Sequence, residues 1–96
     1  MKVRWTQLAR SDLDEARQYI SEHNPGAALK VGARIHAAAR RLETHPYLGR
    51  VGTIPGTREK LALPYPYVIV YEVAEDRDEI WILRVYHTAQ DRGRED

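Results

Sequence analysis

The sequence predicts a small α+β domain of order β-α-α-β-β-β, an antiparallel sheet with an N-terminal helical hairpin packed on one face. Two stretches with apolar residues at three- and four-residue intervals stand back to back, parted only by Asn24-Pro25. After Thr57 the texture changes to short runs dense in β-branched and aromatic residues. These runs are broken by Pro64-Tyr65-Pro66 and by Glu75-Asp76-Arg77-Asp78. Links this short favour antiparallel neighbours in both halves.

Lys2 to Trp5 alternates, with Val3 and Trp5 on one side and Lys2 and Arg4 on the other, the period of a strand. Thr6 can cap the helix that follows. From Gln7 to about Glu22, Ala9, Leu13, Ala16 and Ile20 fall on one helical face, and Arg10, Asp14, Arg17 and Glu22 on the other. Asn24 is a good N-cap and Pro25 suits the first helical position, so one helix ends and the next begins there. The second helix is expected from Pro25 to about Thr44, with the stripe Ala28, Val31, Ile35, Ala38 and Leu42. Its alanines favour helix and allow close approach, and its polar side is basic, with Lys30, Arg34, Arg40 and Arg41. His45-Pro46 stops it, because a residue before proline avoids the helical region.

Gly49, Gly52, Pro55 and Gly56 mark an irregular connection. Strands are expected over Arg58 to Leu63, Tyr67 to Val73 and Ile80 to His87. Strict alternation gives the last strand the faces Trp81, Leu83, Val85, His87 and Ile80, Ile82, Arg84, Tyr86. Both are apolar in their first half, which places this strand inside the sheet. Residues 88–96 are polar and unpatterned, and fraying is expected there. Nothing in the chain covers the sheet face away from the helices. Ile82, Tyr86 and one apolar row of the preceding strand are expected on it, and uncovered apolar surface of this kind points to a partner.

Residues 1–96 are expected to form one domain with a modest core, without help from disulfides, since Cys is absent. No run is long and apolar enough to cross a membrane, and Met1 to Arg10 has no apolar signal core, so a cytoplasmic protein is expected. Net charge is +1, which argues against strong unspecific DNA binding. Of 15 basic residues only Lys2, Lys30 and Lys60 are lysine. Either a GC-rich genome or a use for the planar guanidinium fork accounts for the rest.

Phosphate-binding glycine loops, paired metal ligands and a nucleophile elbow are all missing, so neither cofactor nor metal is expected. His23, His36, His45 and His87 are spread over different elements and read as solvated or capping residues. The carboxylates Asp12, Asp14 and Glu15 read as a solvated helix start. What remains is cationic: Arg58 and Lys60 on one strand, Arg84 and His87 on another. Metal-free RNA cleavage needs a general base, a general acid and cations for the phosphate, and Lys60, Arg84 and His87 could supply them. Equally, Arg84 could pair with Glu72 or Glu59 and His87 could cap the sheet.

The segments Leu42-Glu43-Thr44-His45-Pro46-Tyr47-Leu48-Gly49-Arg50, Pro55-Gly56-Thr57-Arg58-Glu59, Tyr67-Val68-Ile69-Val70-Tyr71 and Ile82-Leu83-Arg84-Val85-Tyr86-His87 follow Asn24-Pro25 in order. Together they resemble the RelE/ParE toxin superfamily, specifically its ParE-like branch, from about Trp5 to Arg92. The resemblance implies the toxin of a type II toxin–antitoxin pair, neutralised by a ParD-like antitoxin in a heterotetramer or larger assembly. DNA would be bound only through the antitoxin. ParE-like members poison DNA gyrase; RelE-like members cleave mRNA on the ribosome with a cation cluster on the sheet. Here the next outward position after Lys60 is Ala62 and the next strand begins Tyr67-Val68, without the expected basic residues. The resemblance therefore favours a gyrase inhibitor without an active site of its own. An endoribonuclease using Lys60, Arg84 and His87, or a decayed toxin that only binds its antitoxin, are the alternatives. Under the first reading Arg58, Lys60, Arg84, His87, Arg92 and Arg94 are the candidate target contacts. Trp5, Leu8, Leu13, Ile20, Val31 and Ile35 are candidates to line or support an antitoxin groove on the hairpin. Arg34, Arg40 and Arg41 either pair with acidic antitoxin side chains or form a solvated face.

Overall fold

The computed structural model describes residues 1–90, so Arg92 and Arg94 lie outside the described residues. The order is β1 (Lys2–Trp5), α1 (Gln7–Ser21), α2 (Pro25–Arg41), β2 (Arg50–Val51), β3 (Arg58–Leu61), β4 (Tyr67–Ala74) and β5 (Glu79–His87). Both helix starts are capped as their sequences require. Thr6 Oγ accepts from the Ala9 amide and Asn24 Oδ1 from the Ala27 amide, with Pro25 at the first helical position.

Several boundaries depart from the expected ones, with β4 running on to Ala74 and β5 starting at Glu79. β2 is an additional two-residue strand paired with β3. α2 ends at Arg41 with Leu42 as its cap, and the chain turns through Thr44. β3 stops at Leu61, because the Ala62 amide already bonds the Tyr67 carbonyl at 2.9 Å across the turn into β4. Thr88 to Gln90 turn back onto the sheet end. The Thr88 amide donates to Pro66 and the Gln90 amide to His87, each at 2.9 Å.

The five strands run in the order β1-β5-β4-β3-β2. β5 and β4 are internal, as their apolar content requires. β1 pairs with β5 in parallel, from Lys2 opposite Glu79 to Trp5 opposite Ile82, so the sheet is only mostly antiparallel. A bulge changes the phase of β5. Val70 pairs with Arg84 while Tyr71 pairs with Ile82, leaving Leu83 as an extra residue. Val85 and His87 thereby join Ile80 and Ile82 on the face that meets the helices, opposite Ile69, Tyr67, Val73 and Tyr71. Strict alternation had Ile82 on the uncovered face with Tyr86, apart from Val85 and His87; the inserted residue moves Ile82 to the helix side, while Tyr86 stays opposite Val68 on the other face.

The core lies between helices and sheet. Ala9 and Leu13 of α1 and Val31, Ile35 and Ala39 of α2 close on Ile69, Tyr71, Ile80, Ile82 and Val85. Tyr71 is fully buried, yet its hydroxyl is satisfied: it accepts from the Gly49 amide at 2.9 Å and donates to the Pro46 carbonyl at 2.8 Å. A Cβ on Gly49 would stand 2.7 Å from the Glu59 carbonyl and 2.8 Å from the Tyr71 ring, so only glycine fits there. The row Val68, Val70 and Glu72 occupies the other sheet face, with Val68 and Val70 buried by their neighbours. No helix among the described residues is long and apolar enough to cross a membrane.

Candidate functional site

Arg58, Lys60, Arg84 and His87 do not converge on one point. Arg84 is gripped by Asp12 of α1: its Nε donates at 2.8 Å and its second terminal nitrogen at 3.1 Å to the two carboxylate oxygens. The same carboxylate accepts from the Val85 amide at 2.9 Å. β1 ends at Trp5, and Thr6 then reaches the Ile82 carbonyl with both its amide and its hydroxyl. Asp12 thus takes over as the edge partner of β5 where β1 runs out. Hydrogen bonding to Asp12 raises the Arg84 pKa further above its already high value. The partner of Arg84 is therefore neither Glu72 nor Glu59, and Asp12 is an anchor rather than a solvated charge. Glu59 is held instead by Arg50, at 2.9 Å.

His87 packs edge-on against Tyr67, with ring centroids 5.2 Å apart. Its Nδ1 accepts from the Ala89 amide at 2.9 Å, which puts the proton of the neutral ring on Nε2. Arg58 donates to the Gly49 carbonyl at 2.8 Å and lies 4.9 Å from the Tyr47 ring centroid. Lys60 is half-buried on β3, opposite Ile69, which in turn faces Val85. Lys60 and Arg84 are thus separated by β4, and Arg84 is already neutralised. Beyond Lys60, Ala62 and Tyr67 are buried core residues.

The hairpin residues divide by burial. Leu13, Val31 and Ile35 are inside the core, at 5% exposure or less, so they cannot line a groove and can only support one. Trp5 and Ile20 are half-buried, packed against the core from its margin. Leu8 is exposed, as are Arg34, Arg40 and Arg41.

Sequence reasoning passed over two groups. The first is on α2: the His36 ring packs at a tilt of 48° against Trp5 with ring centroids 5.1 Å apart. Partial burial, then Arg17 and Arg40, hold its pKa below the ordinary 6.5. The spacing of His36 and Arg40, one turn apart on an acid-free helix, was the available signal. The second is a concavity of about 790 Å³ lined by Trp81, Leu83, Glu72, Tyr47 and Arg58 among others. No cluster of three metal-ligating side chains exists among the described residues.

Comparison with known proteins gives this arrangement a context. Y4kP of Sinorhizobium fredii, named as a toxin, is 40% identical over 89 residues, 93% of this chain and 90% of its own. Toxin RelE2 of Caulobacter vibrioides is 37% identical over 89 residues, 93% of this chain and 97% of its own. A solved structure of the chromosomal ParDE TA system from P. aeruginosa superposes with a TM-score of 0.81. It is 28% identical, over 91% of this chain and 95% of that one. The sequence model for the ParE toxin of type II toxin-antitoxin system, parDE, matches residues 3–92. With that match over nearly its whole length, on a sheet and hairpin of the same build, the chain belongs to the ParE toxin family of type II toxin–antitoxin systems.

Proposed function

We propose that this toxin acts by binding DNA gyrase, and that a ParD-like antitoxin neutralises it in a hetero-oligomer of heterotetramer size or larger, which meets DNA only through the antitoxin. The observation that carries the gyrase reading is the dispersal of the cations. Arg84 is spent on Asp12, His87 has its Nδ1 occupied, and Lys60 stands across β4 from Arg84. Phosphate chemistry needs such groups preorganised around one point, and losing one positioned donor typically costs roughly 100- to 1000-fold in rate. A protein-binding poison has no such need. Arg58, Lys60 and His87, with Arg92 and Arg94, remain the contacts to test on gyrase. The antitoxin reading draws on the ParDE assembly that the P. aeruginosa structure is named for and on the exposed Leu8, Arg34, Arg40 and Arg41 of the hairpin.

The test is a gyrase supercoiling assay with purified toxin, with and without antitoxin. Inhibition or trapped cleaved DNA, reversed by antitoxin, is expected. No effect at large excess would refute the gyrase reading. The second reading, mRNA cleavage on the ribosome through Lys60, Arg84 and His87, draws on the name of the RelE2 relative and on a histidine ending β5. It predicts that His87→Ala and Arg84→Ala each abolish toxicity in cells.

A further inference from the structure

The outer face of the hairpin carries cations that no carboxylate of the described residues satisfies. α2 holds Lys30, Arg34, Arg40 and Arg41 and no acidic residue. None of the four takes part in an ion pair among the described residues. Arg17 reaches over from α1: its Nε stands 2.8 Å from where a Cβ on Gly32 would sit. Its own carboxylate neighbour, Asp14, is 3.9 Å away and well exposed, a weak partner. Along α2, Leu29, Ala33, His36 and Arg40 recur at i, i+4, i+7 and i+11, which is one line on the helix, and all four are exposed. His36 sits at the centre of this line. It is faced by Arg17 from α1, by Arg40 from its own helix and by the uncharged Trp5 ring from β1.

Building on the antitoxin reading above, we propose that the antitoxin lays an acidic amphipathic segment along this line, with a carboxylate among Arg17, His36 and Arg40 and an apolar side chain against Leu29. Charge complementarity selects the carboxylate. Leu29, 72% exposed, selects a protein over a nucleic acid, because a phosphate backbone would answer the cations and leave the leucine in water. The chemistry has a consequence for protons. In the free chain the two arginines disfavour a proton on His36; a carboxylate set among them favours it. Docking therefore takes up a proton, and affinity tightens as pH falls, by at most about tenfold per pH unit for one group.

The experiment is titration calorimetry of full-length toxin with its cognate antitoxin between pH 5.5 and 7.5, on wild type, H36Q and R17Q/R40Q. All three substitutions are at partly or fully exposed sites, and thermal melts of each variant verify folding. The wild type is expected to bind more tightly at lower pH, H36Q to bind with a flatter pH dependence, and R17Q/R40Q to bind roughly 10- to 100-fold more weakly per arginine. Unchanged affinity in R17Q/R40Q, or a pH dependence in H36Q equal to that of the wild type, would overturn the proposal while leaving the antitoxin reading intact. If R17Q/R40Q binds antitoxin normally but its complex shows a weaker salt dependence on operator DNA, the face serves DNA and the proposal is wrong. Wild-type toxin that does not bind the antitoxin at all would sink the underlying reading as well.

Discussion

Asp12 closes an edge of the sheet with one carboxylate, and removing that carboxylate separates two effects. Its side chain is 11% exposed while that of Arg84 is 51% exposed. The ion pair is therefore half in water and contributes about 0.5–1 kcal/mol. The bond to the Val85 amide is different. It is charge-assisted and partly buried, and no strand is present beyond Trp5 to replace it. Leaving such an amide unsatisfied costs about 1–3 kcal/mol. Asp12→Ala loses both and is expected to cost about 2–3 kcal/mol. Asp12→Asn keeps an acceptor for Val85, and Arg84→Ala keeps the carboxylate itself; each is expected to cost about 1 kcal/mol or less. In a domain this size 1 kcal/mol moves the melting temperature by about 4–8 °C, so Asp12→Ala should melt at least about 8 °C lower. Urea unfolding of the three variants, with m-values compared, gives the free energies directly. If Asp12→Ala and Arg84→Ala cost the same, the Val85 bond contributes nothing and the reasoning fails.

Three further outcomes follow from the same structure. Tyr71→Phe removes a buried hydroxyl and orphans the Gly49 amide, and is expected to cost about 1–3 kcal/mol; a melting temperature within 2 °C or so of wild type would contradict it. Gly49→Ala drives a Cβ into the Glu59 carbonyl and is expected to give insoluble or strongly destabilised protein in an expression and melting screen. Glu79 is hydrogen-bonded first by Arg4 and then by Trp81, both of which lower its pKa below the ordinary 4.5. Its folded carboxylate therefore stabilises the protein above that value, and the contribution is lost as pH falls through the lowered one. Glu79→Gln should flatten the acid limb of a stability–pH curve between wild type and variant, and an unchanged limb would refute the assignment.

The helices were legible because their signals are local. Thr6 and Asn24-Pro25 state where each begins, and the spacing of Ala9, Leu13, Val31 and Ile35 states which side turns inward. Leu13, Val31 and Ile35 show the limit of that legibility: an apolar stripe does not distinguish a core from the floor of a groove, and only burial does. The phase of β5 was hidden because alternation carries no mark of an inserted residue, so counting through Leu83 set Ile80 and Ile82 on a different face from Val85 and His87 when in fact they share one. Strand β2 was missed because Arg50–Val51 is two residues among glycines and prolines, held by its partner rather than by propensity. The grip of Asp12 on Arg84 spans 72 residues of sequence, and no pattern within either segment predicts it. The dispersal of Lys60, Arg84 and His87 is a property of the register and of Asp12, which no single segment displays.

The parallel pairing of β1 on β5 has a consequence for the timing of synthesis. Of the described elements β1 leaves the ribosome first, and β5, its one sheet partner among them, leaves last. Lys2 waits for Glu79, 77 residues later (79 − 2), which at about 5–20 residues per second is roughly 4–15 s. Through that interval Val3 and Trp5 have no strand to lie against, and α1 has no β5 to anchor Asp12. A nascent or truncated chain therefore lacks the finished sheet, and the toxin becomes a folded molecule only when its last strand is in place.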